Sequence, residues 1–230
     1  MTLAAGPYRA LLQPAAVAEL VGMMGWGGFS VRAQRAGQSP LARLYAGEAG
    51  FGDAVALAEA PAQLQAPLFQ QEGFAKPPRV ELVRAGRAVS ALVSPRSARE
   101  FGLEHNGAEP SEAPVSLALG AGTLAAADAL AALGTGIWIG NLWYLNWSER
   151  SSARLTGMTR FGSFWVRDGR VVAPLARARF DDSLYRMLGS ELQALGDTAD
   201  VIVDPVAYDA RDLAASAAPA ALVRTLRIAL

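Results

Sequence analysis

Metal or acid–base chemistry in this chain would have to draw on few ligands and bases. The sequence holds one histidine, His105, and no cysteine. A catalytic zinc ordinarily takes three protein ligands, mostly His joined by Glu, Asp or Cys. One imidazole and no thiolate cannot assemble a His-based zinc site, although Asp and Glu could still hold a harder ion. His105 lies in a polar stretch beside Glu104. A nucleophilic triad needs an oriented Ser, His and acid. Sequence neighbours rarely orient one another, and no nucleophile elbow is present. His105 is read as a solvated loop histidine.

Three other constellations carry chemical potential. Gly120-x-Gly122-x-x-Ala125 follows an apolar run and opens a helical one, as a dinucleotide fingerprint does. That fingerprint also wants an acid about 20 residues on, and the sequence there reads Gly140-Asn141-Leu142-Trp143-Tyr144-Leu145-Asn146-Trp147. The segment is read as a turn with a helix cap, and no cofactor is expected. Residues 146–160 read as a loop with Glu149, Arg150, Arg154 and Arg160 among hydroxyl side chains. Extended to Arg186, the segment has eight arginines against four acids, enough to grip carboxylates or phosphates by bidentate contacts. Trp138, Trp143, Tyr144 and Trp147 cluster just before and within it. Trp138 is expected in the sheet core. Trp143 and Trp147 fit a binding or subunit surface. The peptide- or partner-binding candidates are Asn141, Trp143, Tyr144, Trp147, Arg154, Thr156 and Arg160.

Composition bounds the partners. Lys plus Arg equals Asp plus Glu, 21 against 21, so no global field draws nucleic acid. Hydrophobic residues make up 52% of 230 positions, enough to bury a sizeable core. The absence of Cys excludes disulfides and leaves the compartment open. The start, Met1 to Leu12, lacks a basic segment followed by an apolar one, so no secretory leader is read. Residues 113–140 carry one charge, Asp128, but glycines interrupt them, and they read as strand, helix and strand rather than a membrane span. A cytoplasmic location is expected, with neither membrane nor nucleic acid as partner.

These residues need elements to hold them. Residues 8–12 read as a strand and 15–24 as an apolar helix started by Pro14. Residues 40–52 suggest a short helix, 55–58 a strand and 60–78 a long proline-rich loop. Ala85-Gly86 and Asp168-Gly169 sit between β-rich runs and predict hairpins over 79–93 and 164–175. A short helix is expected over 95–101, a polar loop over 101–114 and a strand over 115–119. Thr123 is expected to cap a helix ending at Leu133, with Gly134 after it. Strands follow over 136–145, 200–203 and 223–230. Asp181 or Asp182 is expected to cap a helix carrying Leu184, Met187, Leu188, Leu192 and Leu195 to a stop at Gly196. Residues 210–221 read as a loop or weak helix. The pattern is α+β, with a largely antiparallel, curved or barrel-like sheet and a few packed helices. It reads as a single domain over residues 1–230.

Residues 136–196, from Gly-Ile-Trp-Ile-Gly-Asn through Thr156-Gly157 to Phe164-Trp165-Val166-Arg167-Asp168-Gly169, resemble the C-terminal domain of the TldD/PmbA family. Its members are related to zinc metallopeptidases and were formerly labelled modulators of DNA gyrase. The resemblance implies that a separate N-terminal domain, usual in the family, is not part of this sequence. It also implies a His-Glu-x-x-x-His helix in catalytic members, matched here by Ala18, Glu19 and Met23. Neither Ala nor Met supplies a nitrogen ligand, and the family's later Cys is missing as well. The implied reading is a non-catalytic, TldE-like component, inactive alone. It would work with a TldD-like zinc-bearing subunit on small unfolded peptides. The alternative is a stand-alone peptide- or protein-binding scaffold.

Overall fold

The computed structural model describes residues 1–203 and 214–229. Its strands are β1 (Gly6–Leu12), β2 (Leu57–Glu59), β3 (Val80–Arg84), β4 (Arg87–Ala88), β5 (Ser116–Leu119), β6 (Gly136–Glu149), β7 (Arg154–Arg167), β8 (Arg170–Pro174), β9 (Arg179–Ser183), β10 (Leu192–Val203) and β11 (Ala215–Ala229). Its helices are α1 (Pro14–Met24), α2 (Val31–Arg35), α3 (Ala42–Tyr45), α4 (Pro95–Phe101) and α5 (Ala129–Leu133). One curved sheet joins all eleven strands. Among the described strands, only β1–β6 and β5–β11 pair in parallel. The pairings β1–β6, β6–β7, β7–β9, β9–β11 and β11–β1 close a ring, which removes edges there. The fold is α+β, as the sequence pattern predicts.

Both faces of the sheet are covered, and strand alternation does the sorting. Ala10 and Leu12 of β1 enter the main core with α1, while Leu11 between them joins Ala129 and Leu133 of α5. In β11, Ala221 and Val223 face the α1 side and Leu222 the α5 side. Pro14 starts α1 as expected, and Ala16, Val17, Leu20, Val21 and Met24 are fully buried. Each buried Leu, Val or Met contributes on the order of 1.5–3 kcal/mol of transfer free energy.

Both two-residue hairpins form. Ala85 and Gly86 have φ of 45° and 70°, and Asp168 and Gly169 have 50° and 72°, the paired left-handed conformations that match strand twist. Gly86 is also required by space, because a Cβ there would lie 2.2 Å from the Phe51 carbonyl oxygen.

Four expectations need correction. The helix over 182–196 does not form: Asp181 and Asp182 lie in β9, one irregular turn covers Arg186–Ser190, and Leu192 opens β10. Gly189 (φ −121°, ψ −106°) breaks helical continuity. Leu184, Met187 and Leu188 are buried through the turn, and Leu195 reaches the same core from a strand, so a helix-like spacing is met by other means. Asp182 accepts hydrogen bonds from Arg186 Nε (2.9 Å) and Arg227 N (3.1 Å). Thr123 does not cap its helix, which begins with a 3-10 turn at Ala126 and continues as α5. The expected loop 146–160 is mostly strand, with β6 and β7 separated only by a turn at Arg150–Ser152 and Ala153. Residues 215–221, read as loop or weak helix, belong to β11, while 210–213 of that segment and Leu230 lie outside the described residues.

Candidate functional site

A cleft of about 400 Å³ opens beside α1. Ala15, Ala18, Glu19, Gly22 and Met23 line one wall, with Trp26 past the helix end. Asn141 and Leu145 of β6 and Ile202 of β10 line others, with Ser216 of β11. Backbone pairing explains why β6 is exposed to this space. β1 pairs with β6 only at Ile137, Trp138 and Ile139, and Gln13 N makes a final bond to Ile139 O at 2.9 Å. The chain then turns away as α1. Beyond Ile139, β6 is paired with β7 alone among the described residues. A strand edge with free backbone groups can accept an added strand.

The candidate residues fall into separate places. Asn141 lines the cleft, and its Oδ1 accepts from Leu142 N at 2.7 Å. Trp143 and Tyr144 are exposed on the β6–β7 ribbon. The Arg160 guanidinium lies 4.8 Å from the Trp143 ring centroid and 5.6 Å from that of Phe161, the arrangement of a cation–π contact. Arg154 pairs with Asp181. Thr156 Oγ1 donates to Phe180 O at 2.9 Å and accepts from Arg179 Nε at 3.0 Å. Trp147 stands opposite Leu155, which is fully buried, and packs against the main core.

Backbone irregularity explains that split. Tyr144 (φ 58°) and Phe161 (φ 56°) are bulky residues in the left-handed region, a conformation costing on the order of 1–3 kcal/mol each. The β6–β7 register slips between Ile139 and Asn141 and again between Trp143 and Asn146. Each slip changes which side of the strand faces inward. Trp143 and Trp147, of equal parity, therefore end up differently placed. Trp138 tilts against Phe164 and packs on the α5 side.

The remaining candidates are structural. At the glycine turn, Gly120 N donates to Ala56 O, Gly122 N to Gly196 O and Leu124 N to Leu195 O, at 2.9, 2.7 and 3.0 Å. A Cβ on Gly122 would sit 2.5 Å from Leu195 O, so those amides pack a strand and leave no phosphate cradle. His105 is exposed, its ring edge-on to Phe74 at 5.5 Å, and its Nδ1 accepts from Gly107 N.

Two acidic sites escaped the sequence reading. Glu112, with no exposed surface, accepts from Ser30 Oγ (2.6 Å), Arg32 N (3.0 Å), Ser94 N (3.0 Å) and Ser94 Oγ (2.9 Å). Ser30 and Ser94 are the N-caps of α2 and α4, so one carboxylate ties two helix starts together. Burial alone would raise its pKa, but the Ser30 hydroxyl and the backbone N–H groups of Ser94 and Arg32 outweigh that and lower it. Glu59 accepts from Val115 N and Ser116 N, yet burial wins there and raises its pKa. Nearby, Lys76, the chain's one lysine, pairs with Glu109 at 2.7 Å.

A model of the PmbA/TldA metallopeptidase C-terminal domain matches residues 5–230. The chain belongs to the PmbA/TldD family. TldE from Thermococcus kodakarensis superposes with a TM-score of 0.81 at 16% identity, covering 100% of this chain and 52% of that one. A candidate modulator of a DNA gyrase from Thermotoga maritima gives 0.79 at 19% identity, with 100% and 51% coverage. Another from Bacteroides thetaiotaomicron gives 0.77 at 16%, with 100% and 48%. The chain thus spans about half the length of these structures. No curated protein sequence matches it. The zinc that a metallopeptidase family implies does not fit the α1 wall. Ala18 and Met23 offer no suitable donor, and among the described residues no three His, Cys, Asp or Glu side chains converge on a metal position. Among the described residues, no helix is long and apolar enough to cross a membrane.

Proposed function

We propose that this chain is a TldE-like, non-catalytic component of a PmbA/TldD-type assembly that degrades or matures small unfolded peptides in the cytoplasm. The observation that carries this reading is the α1 cleft. Ala18 and Met23 stand where the family resemblance implies imidazoles, and the unpaired edge of β6 lies across from them. Such a cleft can hold an extended peptide by backbone hydrogen bonds, which tolerate varied side chains. It keeps a carboxylate, Glu19, but supplies neither of the two imidazoles that would hold the zinc. The hydrolytic centre therefore belongs to a TldD-like partner.

Co-expression with a TldD-like subunit bearing His-Glu-x-x-x-His tests this. The expected result is a co-purifying complex that cleaves unfolded peptides, with zinc stoichiometric to the partner alone. One tightly bound zinc per copy of this chain by itself, with chelator-sensitive hydrolysis, would overturn it.

A further inference from the structure

We propose that the outer face of the β6–β7 ribbon is a docking surface for an acidic, extended segment of a protein partner. Arg160 stands opposite Asn141, so this surface adjoins the α1 cleft, but the inference stands on its exposed side chains whether or not the cleft holds a peptide. Trp143, Tyr144 and Phe161 are 46%, 79% and 69% exposed. Two of them, Tyr144 and Phe161, sit at positive φ, at 58° and 56°. A bulky side chain gains nothing for the fold by pointing into water from a strained backbone. Strain of this kind collects where a surface has a task.

Charge identifies the occupant. Arg160 lies against Trp143 and Phe161 and has no carboxylate partner among the described residues. Arg154 holds Asp181, which lies 4.0 Å from Arg179. Arg177, exposed and without an ion pair among the described residues, precedes Ala178, whose N–H donates to Thr159 Oγ1 beside Arg160. The face is therefore cationic on a chain of zero formal charge. Arginines read carboxylates through paired N–H donors, and Arg ringed by aromatics is the composition of interface centres. Arg177 and Arg179 are two residues apart, the spacing of same-side groups on an extended chain. Stacking orders the Arg160 guanidinium before binding, which lowers the entropic cost of using it. A nucleic acid fits less well, because Arg160 already covers ring surface of Trp143 and Phe161 that bases would need for stacking.

Calorimetry with three probes tests this: a short synthetic peptide alternating Glu with Val, its Lys–Val counterpart, and an oligothymidine of matching charge. The expected result is that the Glu–Val peptide binds and weakens with salt, while the other two do not bind. Arg160→Glu is expected to weaken binding about tenfold or more. Phe161→Gly serves as a second variant, because glycine accepts φ of 56° freely. It is expected to leave melting unchanged or raised while weakening the peptide. Failure of the Glu–Val peptide to bind, equal binding of oligothymidine, or indifference to both substitutions would overturn the proposal.

Discussion

The α1 cleft and the outer face of the β6–β7 ribbon share one strand, and they differ in what that strand is given to work with. In the cleft, β6 contributes Asn141, Leu145 and a free backbone edge, opposite a helix wall of Ala15, Ala18 and Met23. Shape and backbone dominate there. On the ribbon, the same strand contributes Trp143 and Tyr144, and β7 adds Arg154, Arg160 and Phe161. Side chains dominate there, at the expense of two strained residues. One strand can present both a backbone edge and a set of exposed side chains because register slips redirect successive side chains.

The largest expected effect separates the two tryptophans that share the strand. Trp147→Ala removes a ring packed on the core and is expected to cost about 3 kcal/mol. Trp143→Ala is expected to cost less than about 1 kcal/mol, mostly its contact with Arg160. Chemical denaturation of both variants checks this, and similar losses would merge the two environments.

Next comes the frame that carries both surfaces. Glu112→Ala leaves buried donors at two helix caps unpaired and is expected to cost about 2–3 kcal/mol. Its pH signature has a definite sign. The folded-state pKa of Glu112 is lowered, so its contribution is present above the ordinary carboxylate value and lost as pH falls below it. Glu59 is raised, so it works oppositely: stability falls as pH rises from the ordinary value through the folded one. Acid titration of stability should flatten in Glu112→Ala and keep its slope in Trp143→Ala.

Gly169→Val should cost about 1–3 kcal/mol, because a β-branched residue resists φ of 72°. Melting is the readout, and peptide capture in the cleft should survive at lower temperature. An unchanged melting temperature would mean that the Asp168-Gly169 turn does not fix the ribbon's register.

The last variant, Ala18→His with Met23→His, converts the cleft wall instead of breaking it, at an expected cost of about 1–3 kcal/mol because both positions are buried. The double variant should acquire weak zinc binding by calorimetry and no hydrolysis, because two imidazoles with Glu19 still lack a complete catalytic set. Zinc binding equal to that of the unaltered chain would show that the α1 wall is not the family's metal face.

Much of the scaffold was legible from local signals. Pro14 with its apolar run marked α1, and the two x-Gly turns marked both hairpins, because left-handed φ is a local requirement. The family resemblance, strongest over residues 136–196 but running back to the start of the chain, pointed to Ala18, Glu19 and Met23, which prove to share one cleft wall. The helix proposed for 182–196 failed because its leucines satisfy a core that a turn and a strand also reach. The supposed loop 146–160 failed because its polar residues are the outward half of a long ribbon, and polarity alone does not separate a loop from a solvated strand face.

The sequence by itself determined the ligand census, the hairpin turns and the apolar runs that must be buried, since these depend on residue type and short-range backbone geometry. Only the tertiary structure decided where β6 loses its β1 neighbour, which tryptophan turns inward, and that Glu112 serves helix caps at Ser30 and Ser94. Those outcomes rest on pairings between residues far apart in the chain. Burial and backbone hydrogen bonding there are settled jointly by the whole sheet, and no local pattern records them.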